Sequence, residues 1–219
     1  MVTVTPRHVL APSPQLIVAF TGLEGDVQSL SQELSSQVSS KLGRGLGFMD
    51  ESRRRRNVIS PRAMASLTSH VLYNRKRAPY YVEPLVVGLT ELPKTADDNG
   101  DDGSDLPSSD GGTNVRGDTE VKAQQIQMQR HRPFLCSFDV IGAKSLSDAF
   151  VCAGAASNSI FGTAEAMWKP GLNKDELVEV CAKAFLSALE RDCLSGYGAV
   201  LYLITREGIE QYDLANRND

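Results

Sequence analysis

The chain has no long hydrophobic run. Its most apolar stretches, Leu16-Ile-Val-Ala-Phe20 and Ala199-Val-Leu-Tyr-Leu-Ile204, fall well short of the ~20 residues a helix needs to cross a bilayer, so no membrane partner is expected. The N-terminus also lacks the charged-then-apolar pattern of a secretion signal. Positive charge is not in surplus: 23 Lys and Arg stand against 27 Asp and Glu, a net charge of −4. Without cations clustered on one face there is no electrostatic footprint for nucleic acid. The four cysteines, Cys136, Cys152, Cys181 and Cys193, lack the paired spacing of a zinc site and sit in apolar contexts. They read as buried free thiols in a reducing compartment. His8, His70 and His131 are scattered without ligand spacing, so neither a metal nor a cofactor is expected.

What remains is a chain of 219 residues, 41% hydrophobic and 23% charged. That is enough for one ordinary domain with a sizeable core, expected to be soluble and intracellular. Residues Gln15 to Gly22 are β-rich, and from Leu23 the residues Val27, Leu30, Leu34, Val38 and Leu42 recur at helical spacing. The pattern predicts a strand, a tight turn and an amphipathic helix that stops at the glycines of Gly43-Arg-Gly-Leu-Gly47. Ser60-Pro61 predicts a second helix start, with Met64, Leu67, Val71 and Leu72 on one face and an end near Arg77. Tyr80 to Leu89 predicts a strand, with Pro84 confined to an edge or a bulge because it has no N–H to donate.

Residues 94–131 set Asp97, Asp98, Asp101, Asp102, Asp105, Asp110, Asp118 and Glu120 among Gly and Ser. So few apolar groups cannot offset the entropy of ordering the segment, so it reads as a disordered acidic insertion. A calcium loop does not fit, because no register gives the ligands, the sixth-position glycine and the closing glutamate together. Strands are then predicted at Pro133 to Ile141 and Phe150 to Gly154, and a helix at Ser157 to Trp168. A further helix follows, capped by Asn173 with Glu176 three residues on, its Leu177, Cys181, Ala184, Phe185 and Ala188 on one side. Two closing strands, Gly198 to Thr205 and Ile209 to Leu214, flank the turn Arg206-Glu-Gly208. Arg53 to Arg56 and Arg75-Lys-Arg77 read as surface or interface charge.

Four blocks occur in order: Phe20-Thr-Gly-Leu-Glu-Gly-Asp-Val-Gln28, Tyr73-Asn-Arg-Lys-Arg-Ala-Pro-Tyr-Tyr-Val-Glu-Pro-Leu-Val-Val-Gly88, Pro133-Phe-Leu-Cys-Ser-Phe-Asp-Val-Ile-Gly142 and Arg191-Asp-Cys-Leu-Ser-Gly-Tyr-Gly198. Together they resemble the β-subunit family of the proteasome core particle, nearest its type-3 branch. The resemblance implies an α+β fold, the N-terminal-nucleophile hydrolase-like four-layer αββα sandwich with two stacked antiparallel sheets. It implies one β-type domain over residues 1–219, interrupted by the insertion at 94–131. The partners it implies are other β-subunits of a heptameric ring, subunits of the α-ring, the opposite β-ring and polypeptide substrates in the chamber. The compartments it implies are cytoplasm and nucleus.

Active members of that family attack with a threonine at the mature N-terminus, assisted by its own amine and a lysine. Met1-Val-Thr-Val-Thr5 aligns downstream of the family's opening hairpin, so the expectation is a chain without that hairpin, its threonine or its lysine. Thr3 and Thr5 follow no Gly-Thr cleavage point. Asp192, Ser195 and Gly196 match the shell that supports the nucleophile in active members. Without nucleophile and base they read as a vestigial shell, their polar groups satisfying a helix-ending turn. No residue is assigned to catalysis. Asp139 and Ala143 match a wall facing the substrate pocket of an adjacent trypsin-like subunit, and Ala143 replaces a cysteine usual there. Asp139 reads equally as an acid capping a turn at a strand end. The expected function is therefore a non-catalytic ring subunit, with a threonine protease whose nucleophile precedes the given sequence as the alternative. An adaptor using its acidic tract to recruit a basic partner is a third reading.

Overall fold

The computed structural model describes residues 8–43, 59–91, 131–193 and 198–214. Chain contacts divide it into Met1–Leu89 with Pro133–Asp219, and a separate unit, Thr90–Arg132. Of that second unit only residues 90, 91, 131 and 132 are described, as strand ends. The acidic insertion otherwise lies outside the described residues, as does the basic run Arg53 to Arg56.

The first sheet has five strands in chain order: β1 (Val9–Ser13), β2 (Leu16–Gly22), β3 (Val82–Glu91), β4 (His131–Phe138) and β5 (Lys144–Ser147). Helices α1 (Glu24–Gly43) and α2 (Pro61–Asn74) pack on one of its faces. The alternation along β2 sends Leu16, Val18 and Phe20 into that core, where they join Val27, Leu30, Leu34 and Val38 of α1 and Met64, Leu67, Val71 and Leu72 of α2. Periods of 2 and 3.6 thus converge on one layer of side chains. The turn from β2 into α1 needs Gly22, at φ +129°, because a Cβ there would lie 2.2 Å from the Tyr81 carbonyl oxygen. As the Ser60-Pro61 pair predicts, the Ser60 hydroxyl accepts from Ala63 N at 3.2 Å and caps α2.

A two-stranded antiparallel sheet, β6 (Ala199–Ile204) with β7 (Ile209–Leu214), carries α3 (Ser157–Met167) and α4 (Lys174–Leu189). Asn173 N donates to Glu176 Oε2 at 3.0 Å at the start of α4, the half of the capping box that the sequence announces. Lys174 Nζ reaches both carboxylate oxygens of Glu210 on β7, at 2.7 and 2.8 Å. Gln15 Nε2 donates to the Arg206 carbonyl at 2.9 Å, tying the β1–β2 turn to the β6–β7 turn. The layers follow the expected αββα order of an α+β sandwich.

Four expectations change. Pro84 stands in an internal strand in unbroken register opposite Phe20, at neither an edge nor a bulge. The bonds Leu89 N to Gln15 O and Leu23 N to Tyr81 O make the odd residues of β2 the hydrogen-bonded positions. The missing N–H of Pro84 therefore points away from β2 and removes no bond from that ladder. Phe150 to Gly154 is not a strand; Phe150 instead meets Phe161 edge to face at 5.1 Å. Strands β1 and β5 appear where none was expected. All four cysteines are free, but only Cys136 is buried, Cys152 being half-buried and Cys181 and Cys193 exposed.

Candidate functional site

The chain leaves β4 at Phe138 and re-enters the sheet at Lys144, the two residues paired across an antiparallel ladder. Asp139-Val-Ile-Gly-Ala143 makes the turn between them. Asp139 Oδ1 accepts from Ile141 N at 3.0 Å and from Ala143 N at 2.7 Å. Gly142 N donates to the Asp139 carbonyl at 3.0 Å, and Asp139 N donates to the Ala143 carbonyl at 3.2 Å. Aspartate suits this position because its short side chain reaches backbone N–H groups two and four residues on. The turn-capping role of Asp139 is thus present in the structure.

The turn is also seated against a helix. Ser69 Oγ on α2 donates to the Gly142 carbonyl at 2.7 Å. Gly142 takes φ +87°, and a Cβ there would fall 2.6 Å from the Ser69 carbonyl oxygen. Only glycine satisfies both the backbone angle and the close approach. Helix α2 is itself held by the main core, so its burial fixes where the turn sits. Sequence reasoning did not single out Ser69, since a serine inside a helix carries no signal of a partner 73 residues away.

Burial separates two sides of this hairpin. Cys136 and Phe138 point into the core, while Asp139, Ala143, Lys144 and Leu146 are exposed, Leu146 at 65% and Ile141 at 47%. Desolvation pushes the Cys136 thiol pKa up, with nearby Lys144 opposing, so that cysteine is a core group and a poor nucleophile. The outer side is a fixed carboxylate beside a small alanine, flanked by Ile141, Leu146 and the Lys144 cation. With Oδ1 holding the turn, Oδ2 can accept from a positively charged group brought against it. Nothing in this turn supplies a nucleophile or a general base aimed at one.

Asp192 lies elsewhere, half-buried just after α4, its N–H donating to the Leu189 carbonyl at 3.0 Å. Ser195 and Gly196 lie outside the described residues, so the vestigial shell is represented by Asp192 alone. Arg75 stacks over Tyr80 with its guanidinium carbon 4.6 Å from the ring centroid and reaches Glu33 Oε2 at 3.7 Å. Lys76 Nζ bonds the Tyr73 hydroxyl at 2.9 Å. These basic residues brace the end of α2, exposed as they are. Among the described residues no three of His, Cys, Asp and Glu converge as a metal site would need.

The family model described as "Proteasome subunit" matches residues 124–204. The chain is 32% identical over 205 residues to the proteasome subunit beta type-3-A of Arabidopsis thaliana, covering 94% of this chain and 77% of that one. It is 31% identical to the beta type-3 subunit of Picea mariana with the same coverages. To the Drosophila melanogaster beta type-3 subunit it is 28% identical, over 97% of this chain and 81% of the relative. Both hairpin and helix of the Asp139 turn fall within those alignments' reach.

Proposed function

The chain belongs to the proteasome subunit family, on its beta type-3 branch, and from that premise we propose that it is a non-catalytic β-subunit of the core particle. In that role it is a structural ring member that supports ubiquitin-dependent proteolysis. The observation that carries this reading is similarity to type-3 subunits along nearly the whole chain, at 32% identity over 205 residues. A subunit of this kind acts through surfaces, in lateral contact with neighbours of a seven-membered β-ring, with the α-ring and with the opposite β-ring. It works in the cytoplasm and nucleus. The alternative, a threonine protease in its own right, is not favoured by the type-3 relatives.

The Asp139 turn is the part of this chain we assign to a neighbour's chemistry. There its carboxylate borders a trypsin-like pocket and favours basic side chains at the substrate's cleavage position, beside Ala143. The anchoring to Ser69 supports this reading, because a charge acts selectively only when its position is fixed. The turn-capping and pocket-wall roles are compatible, since they use different carboxylate oxygens.

Two substitutions separate them. Asp139→Asn keeps an acceptor oxygen for Ile141 N and Ala143 N but removes the charge, whereas Asp139→Ala removes both. In assembled particles Asp139→Asn is expected to lower kcat/KM for substrates with a basic residue at the cleavage site by about threefold to tenfold, and to leave uncharged substrates unchanged. That range corresponds to ~0.7–1.4 kcal/mol for a partly exposed charge pair, and it should shrink as salt is raised. Equal loss on both substrate types, or none on either, would reject the pocket assignment. A threonine-directed electrophile applied to the same particles should leave this chain's mass unchanged; a covalent adduct on it would reject the non-catalytic reading.

A further inference from the structure

The five-stranded sheet has two edges, and they are built differently. At the β1 edge the register shifts between Leu10 and Ser13 and Pro12 lies in the strand, two features that close an edge to further pairing. At the β5 edge the pairs with β4 run in unbroken register from Leu135–Ser147 to Phe138–Lys144, and no proline interrupts β5. Among the described residues no strand lies outside β5 in this sheet, and Lys144, Ser145 and Leu146 are exposed.

The hydrogen-bond phase decides which backbone groups face outward. Asp139 N bonds the Ala143 carbonyl across the turn, and bonded and non-bonded pairs alternate along an antiparallel ladder. Ser137–Ser145 and Leu135–Ser147 are therefore the bonded pairs. Lys144 and Leu146, opposite Phe138 and Cys136, turn their N–H and C=O groups away from β4. Each thus offers a donor and an acceptor to an incoming strand. Ser147 Oγ accepts from Ala149 N at 3.2 Å where the row ends.

Side chains set what that strand must carry. Residues opposite one another across a ladder share a face, so Lys144 and Leu146 extend the row of Phe138 and Cys136 past the cover of the core. Leu146 presents apolar area and Lys144 an exposed cation. An antiparallel strand with an acid opposite Lys144 brings the residue two positions earlier opposite Leu146. Complementarity therefore asks for an apolar residue followed, two positions on, by Asp or Glu.

We propose that β5 accepts a further antiparallel strand, an extended segment of a partner polypeptide in which an apolar residue precedes an acid by two positions. Main-chain bonds to Lys144 and Leu146 supply affinity, and the two side chains supply selectivity. The edge acts through backbone groups that the Asp139 carboxylate does not use, and it is independent of the ring role.

The fluorescein-labelled peptide Thr-Thr-Val-Thr-Glu-Thr-Thr is titrated against the full chain and followed by anisotropy, with saturable binding expected. In the register described, the N–H groups of its Val and Glu face β5, and that of the Thr between them faces away. N-methylation at Val or Glu should weaken binding about tenfold, and N-methylation at the intervening Thr less than about twofold. Lys144→Glu should weaken binding about fivefold and transfer the preference to the peptide with Lys in place of Glu. Leu146→Pro removes an outward N–H and no bond to β4, and should also weaken binding about fivefold. Circular dichroism checks that each variant is folded, and if Leu146→Pro fails to fold, the methylated peptides on the unaltered chain carry the test alone. Anisotropy that never saturates, equal losses from methylation at all three positions, or indifference to Lys144→Glu would overturn the proposal.

Discussion

The two halves of the sandwich are built to different standards. On the side of α1 and α2, 17 buried residues form one continuous core, with Leu16, Val18, Leu30, Leu34, Met64 and Leu72 wholly inaccessible. On the side of α3 and α4, α3 has no buried residue, α4 has only Ala184 and Ala188, and the ribbon has only Ala199. The first half is held by apolar burial, which salt does not screen and which is costly to perforate. The second leans on polar ties: Lys174 with Glu210, Glu179 with Lys183 within α4, and Thr163 Oγ1 donating to the Ala184 carbonyl at 2.9 Å between the helices. The site assigned to function stands on the first half, and a half-open apolar groove between α3, α4 and the ribbon lies in the second. Rigidity and spare volume have been put in different places.

Core truncation should expose this difference most strongly. Leu34→Ala removes a wholly buried side chain and is expected to cost about 2–5 kcal/mol, whereas Val180→Ala, half-buried on α4, should cost about 1 kcal/mol or less. Urea unfolding of both variants measures it; similar losses would break the distinction. The glycines give a smaller contrast. Gly142 and Gly171 both hold a positive φ, +87° and +79°, but a Cβ at Gly142 meets Ser69 and Leu72 while one at Gly171 meets nothing within 4 Å. Gly171→Ala should cost only the backbone strain of about 1–2 kcal/mol, and Gly142→Ala should cost more and dislodge the Asp139 turn. Thermal midpoints of the two variants, compared side by side, decide this.

The least effect is expected at the Lys174–Glu210 tie. Hydrogen bonds from Lys174 and then Tyr212 lower the Glu210 pKa, and the bond to Glu210 raises that of Lys174. A lowered folded pKa contributes stability above the unfolded carboxylate value, and that contribution disappears as pH falls through the folded value. The raised lysine contributes below its unfolded value and loses its share as pH climbs through the folded one. Both groups are exposed, so the gain is small and salt-screened. Glu210→Gln should lower the thermal midpoint slightly at pH 7, with the gap to the unaltered chain closing at acid pH and in high salt. A gap that persisted in acid would show that packing, and not charge, ties α4 to the ribbon.

Much of the better-packed half was legible in the sequence because it obeys local rules. The α1 heptad-like spacing from Val27 to Val38, the Ser60 cap and the β2 run each carry their own signal, and each is where the pattern predicts. The misses have physical causes. Strand β1 contains Pro12 and is followed by Pro14, and its register shifts between Leu10 and Ser13, so its propensity reads as loop. Strand β5 is Lys-Ser-Leu-Ser, polar and largely exposed at the sheet edge, and only pairing with β4 makes it a strand. Phe150 to Gly154 carries strand-forming residues, but edge-to-face contact with Phe161 and the left-handed Gly154 settle it as a connection into α3. For the site, Asp139 was legible as an acid at a strand end, and the residues that fix it were not. Ser69 and Gly142 meet across 73 positions, a distance over which no local pattern can signal. The groove beside α4 was equally hidden, since Cys181, Ala184 and Phe185 read as one apolar helix face and periodicity does not say how tightly a face is covered.

The most direct test of the account is the size and composition of the assembly that this chain enters. Affinity isolation through a tag on the chain, followed by native mass measurement and subunit identification, is expected to recover it in a very large particle together with the other β-subunits and the α-ring. Recovery as a free monomer, or in a complex without other proteasome subunits, would contradict the ring role on which the reading of Asp139 depends.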